Sequence, residues 1–120
     1  SLIMQIEAGM ASVAAVMEMC IYTSRGIVYP FAGIPSYWHD ISFDGIRTAG
    51  AFLISGIKKD GIIQKIEVYS EKGGLLKIAL PPGKFICNGK SIDGGKIYEA
   101  ALGPQKTLLF IKAKDTATAL

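Results

Sequence analysis

The chain has 120 residues, half of them hydrophobic and 19% charged, with a formal net charge of +3. That much apolar surface is enough to offset the chain entropy of one ordinary domain, which excludes a disordered or acidic-tail protein. The 13 Lys and Arg are scattered along the sequence without a recognition motif, so nucleic acid is not expected as a partner.

The charged fraction is below the roughly 25% usual for a soluble domain, which suggests a domain that rests against something else. No stretch reaches the roughly 18 apolar residues of a membrane span, so no membrane partner is expected. A signal peptide is not expected either, since there is no basic segment ahead of an apolar one. Cys20 and Cys87 lie 67 positions apart without metal-ligand spacing. They read as two buried free thiols.

From Gln5 to Tyr22 the chain is rich in Ala and Met. Met10, Val13, Met17, Cys20 and Ile21 recur at three- and four-residue steps, which predicts a helix. Ala11, Ala14 and Ala15 make it apolar nearly all round, so it should be buried on more than one side. Gly26 is placed to cap its C-terminus.

After Gly26 the composition turns to β-formers; Ile alone occurs 17 times in the chain and favours pleated surfaces. Strands are predicted at Ile27–Phe31, Ser42–Ile46, Gly50–Ile57 and Ile62–Tyr69, with an Asp60-Gly61 turn joining the last two. Leu75–Leu80 follows the Gly73-Gly74 turn. Beyond Pro81-Pro82-Gly83, Lys84–Cys87 and Lys90–Ile92 flank Asn88-Gly89, a pair that favours a type I′ hairpin. Lys96–Ala100 and Thr107–Lys112 complete the set. Short strands separated by turns argue a mainly β fold, an antiparallel β-sandwich of about eight strands after one apolar helix. The glycines read as turn residues, because none opens a helix after a strand as a phosphate loop requires.

The order of several segments carries a further reading. Gln5-Ile6-Glu7 precedes the Ala-rich run ending Met17-Glu18-Met19-Cys20; Gly26, Ile27 to Tyr29, Pro30, Pro35 and Trp38 follow. Then come Gly45-Ile46-Arg47-Thr48-Ala49-Gly50-Ala51-Phe52 and the Lys59-Asp60-Gly61 turn. This arrangement, over roughly residues 5 to 74, resembles the C-terminal region of glycoside hydrolase family 95 and its relatives. Those α-L-fucosidase-like enzymes have an (α/α)6 barrel followed by a β-sandwich.

The resemblance implies that residues 1–25 hold the last helix of a catalytic barrel, followed by the sandwich; the strand pattern carries that sandwich over 26–113, and 114–120 read as a polar tail. It implies a partner, the barrel of the parent chain, and a catalytic carboxylate at Glu7, which acts in an inverting hydrolysis only with a second, opposed carboxylate. Glu7 stands where the fucosidases carry Asp and Gly9 where they carry Asn, so the resemblance does not fix the sugar. By itself the chain is expected to be a structural, inactive accessory domain.

Two further readings come from other classes. Tyr37 and Trp38, beside His39 and Asp40, could form a sugar platform, which would make the chain a noncatalytic carbohydrate-binding module. The plainer role for Trp38 is packing at the seam between helix and sandwich. Alternatively, an exposed helix could pair two copies of the chain as a homodimer. His39 is the only histidine and has no second His or Cys nearby, so neither a metal nor another cofactor is expected.

Overall fold

The computed structural model describes residues 3–6, 13–48 and 50–114. Eleven strands and one helix follow in order: β1 (Ile3–Ile6), α1 (Val13–Cys20), β2 (Ile21–Ser24), β3 (Ile27–Pro30), β4 (Ile41–Thr48), β5 (Phe52–Lys59), β6 (Ile62–Ser70), β7 (Gly74–Ala79), β8 (Lys84–Cys87), β9 (Lys90–Asp93), β10 (Ile97–Leu102) and β11 (Lys106–Lys112). They form a seven-stranded sheet, β1-β4-β5-β6-β11-β8-β9, and a four-stranded sheet, β10-β7-β3-β2. The fold is thus mainly β and sandwich-like, with one short N-terminal helix. All pairings are antiparallel except β3 with β7, which run parallel.

The predicted strands from Ile27 onward all form, while the N-terminal region differs. Of the predicted helix over Gln5–Tyr22, Val13–Cys20 is helical and residues 7–12 lie outside the described residues; Gln5 and Ile6 belong to β1, which pairs with β4. Ile21 and Tyr22 begin β2, whose β-branched and aromatic residues favour a pleated edge. Arg25 and Gly26, both at positive φ, form a two-residue hairpin turn between β2 and β3 rather than a helix cap. The terminal carbonyls of α1 are satisfied by the following loop instead: the Phe31 amide donates to the Cys20 carbonyl at 2.6 Å and Gly33 to Met19 at 3.0 Å.

Asp60-Gly61 and Asn88-Gly89 take the expected positive-φ pair and close two-residue hairpins. The longer connections carry the chain between sheets: Glu71–Gly73 from β6 to β7, Leu80–Gly83 from β7 to β8, and Gly103–Gln105 from β10 to β11.

The core lies between the sheets. Val28, Leu76 and Ile78 of the small sheet face Phe43, Ile54, Ile66, Val68, Phe85, Leu108 and Phe110 of the large one, and Val16 and Cys20 of α1 join the same cluster. Both cysteines are free and buried.

Candidate functional site

The alternation that builds the core also builds a cleft at one end of the sandwich. On β5 the inward row is Phe52, Ile54, Gly56 and then Lys58; on β11 it is Leu108, Phe110 and then Lys112. On β10 Tyr98 and Ala100 pack against the core, and the same parity reaches back to Lys96 just before the strand. Successive side chains alternate faces, so a lysine ends each of three core-facing rows at the same opening.

Lys58, Lys84, Lys112 and Lys114 line a cleft of ≈ 620 Å³ there, with Pro81, Pro82 and Gly83 as one wall. An adjoining cleft of ≈ 530 Å³ shares Lys58, Ile63, Pro81 and Pro82 and adds Lys96. Among the described residues no Asp or Glu lines either one. Lys58 is half-buried, opposite Ile63 across a bulge where β6 inserts an extra residue.

Two contacts fix the geometry of the rim. The Pro81–Gly83 wall is pinned by the turn before β10: the Gly94 amide donates to the Gly83 carbonyl at 2.6 Å, and Gly95 donates to Leu80 at 2.8 Å. The 31–40 loop is tied to the β5–β6 turn, where the Gly61 amide donates to the His39 carbonyl at 3.0 Å and the Asp60 amide to Asp40 Oδ1 at 2.8 Å. Gly61 itself lines the larger cleft, so His39 and Asp40 lie at the lysine end of the molecule; Tyr37 lines neither cleft.

The opposite end is arranged differently. There Arg47 donates both guanidinium branches to the Glu71 carboxylate. This bonding holds the Glu71 carboxyl below its usual range and raises Arg47.

The residues singled out in the sequence separate. Tyr37 is 71% exposed, whereas Trp38 is half-buried and packs against the core; the two do not present equal rings to solvent. Glu7 lies outside the described residues. Among the described residues no three His, Cys, Asp or Glu side chains gather as metal ligands, and no helix is long and apolar enough to cross a membrane. The burial of Val16 and Cys20 turns that part of α1 inward.

Sequence reasoning missed the lysine opening, because its members run from Lys58 to Lys114 and only the topology gathers them. The available signal was parity: Lys58 and Lys112 each continue the inward row of a predicted strand. No protein-family model matches the chain, and no curated protein matches it in sequence.

Proposed function

We propose that this chain is the accessory, noncatalytic β-sandwich of a family-95-like glycoside hydrolase, bracing that enzyme's catalytic barrel through α1. The observation that carries this reading is the way α1 enters the sandwich. Val16 and Cys20 are fully buried in the shared core, and β2 begins at the residue after the helix ends, with no linker. A helix fixed at that end, with β1 ahead of it already paired to β4, gives a neighbouring helical domain a rigid mount. The outer face of the small sheet adds support, since Tyr22, Leu75 and Ile97 stand exposed on it, an apolar surface suited to a neighbouring domain.

The purified chain is expected to turn over no aryl glycoside; turnover that vanishes in Glu7→Gln would overturn the reading. The reading frame upstream of Ser1 is the direct test. Several hundred residues with paired-helix periodicity are expected, and a start codon there would refute the proposal.

A second reading, a carbohydrate-binding module, is favoured by the exposed ring of Tyr37. An array of neutral glycans screened with the chain and with Tyr37→Ala separates the two, since a bracing domain leaves that array blank.

A further inference from the structure

We propose that the lysine-lined end of the sandwich is a binding site for an acidic saccharide, a short oligomer bearing carboxylate or sulfate groups. The inference starts from the ends of the core rows. Lys58 on β5 and Lys112 on β11 continue inward rows of the large sheet, and Lys96 continues that of β10 in the small sheet. Two sheets therefore deliver lysines to two adjoining clefts that share Lys58, and Lys84 and Lys114 add two more to the larger one.

A single lysine ending a core row is ordinary, because its stem covers apolar surface while its head reaches water. Four on one cleft, with Lys96 on the adjoining one, are different: their like charges sum at one end of the molecule, and an anion seated among them meets several donors. Among the described residues the ion pairs join Arg47 with Glu71 and Lys77 with Glu99; neither involves a lysine of the cleft. Asp93, opposite Lys84 in register, does not line it.

Shape selects the class of anion. Clefts of ≈ 620 and ≈ 530 Å³ match the size of small-ligand sites. The lysines converge on a concave end instead of tracking along a face as a nucleic-acid backbone demands. The proline walls offer apolar surfaces to a sugar ring. The choice of a saccharide as carrier of the charge rests on the glycoside-hydrolase reading above; the cationic site itself does not.

Isothermal titration with a short galacturonate oligomer, a sulfated galactose oligomer and the neutral galactose oligomer of equal length tests this. At least one acidic oligomer should saturate at low ionic strength and weaken as salt is added, while the neutral one gives no heat. Lys58→Gln should weaken binding about tenfold, the loss of one charge-assisted hydrogen bond. Lys112→Gln should weaken it about threefold, as expected for a more exposed charge. Lys72→Gln, in the turn at the opposite end, should leave affinity unchanged; circular dichroism checks that each variant is folded.

No binding of either acidic oligomer overturns the proposal, as does an equal loss in Lys58→Gln and Lys72→Gln. Inorganic sulfate or oligothymidylate binding as tightly as the acidic sugars overturns the saccharide assignment. An upstream frame without a barrel sinks the accessory-domain reading and leaves oligomer binding intact, so the two failures are distinguishable.

Discussion

Gly56 occupies an inward position on β5 where any side chain would collide with two rings. A Cβ built there lies 2.7 Å from Cζ of both Phe31 and Phe43, whose ring centroids are 5.1 Å apart. The site is buried, so neither ring can swing into solvent. Gly56→Ala is therefore expected to destabilise the fold by about 1–3 kcal/mol through overpacking, measured as a lower urea midpoint. A midpoint at or above wild type would show that the rings yield freely. The two cysteines make a second residue-scale prediction. Burial pushes the Cys20 thiol from its ordinary 9.0 up to about 12, and burial also raises Cys87 against a lowering hydrogen bond from Tyr98. A thiol held protonated is a poor nucleophile, so Ellman's reagent should leave the native chain unreacted at mildly alkaline pH and titrate two thiols once urea unfolds it. The folded chain holds the Cys20 proton more tightly than the unfolded one. That contribution to stability is complete below pH 9.0 and is lost as pH rises toward about 12. Urea midpoints should accordingly fall across that window.

At the scale of elements, the connection from β7 to β8 depends on the turn before β10. A Cβ on Gly94 would run into the Pro81 carbonyl oxygen and the Gly83 backbone, and these are atoms that no rotamer change can move aside. Gly94→Ala should therefore displace the Pro81–Gly83 wall as well as costing stability. Amide shifts at Gly83, Lys84 and Gly95 in an NMR spectrum would register the displacement, and an unchanged pattern there would refute it. Hairpins were the most legible part of the fold, because Asp60-Gly61 and Asn88-Gly89 encode their turn in two adjacent residues. Arg25-Gly26 uses the same positive-φ chemistry, but the helical period running through Cys20 and Ile21 disguised it as a helix end. Ile21-Tyr22-Thr23 carries β-formers that compete with that period, and pairing with β3 decides the outcome. Strand β1 exists through its partner β4, a long-range contact that local pattern does not encode. The lysine opening was illegible for the same reason, since sequence distance hides neighbours that alternate strands bring together.

For the whole molecule, the question is whether α1 and the sandwich behave as one cooperative unit. Val16 and Cys20 share a hydrophobic cluster with residues of both sheets, and the amides of Phe31 and Gly33 bond the last carbonyls of α1 to the β3–β4 loop. That loop also carries Trp38, packed against the same core, so one fluorophore reports on the loop while circular dichroism reports on the strands. Unfolding in urea should give coincident midpoints by the two probes, the mark of a single transition. Val16→Ala removes two buried methyl groups and should cost about 2 kcal/mol, moving both midpoints together with an unchanged denaturant slope. A fluorescence midpoint that moves while the circular dichroism transition stays put would mean that α1 and its loop form a separate unit. The proposed bracing role rests on this coupling, because a helix can transmit a fixed orientation to a neighbouring domain only if the sandwich must open before the helix comes free.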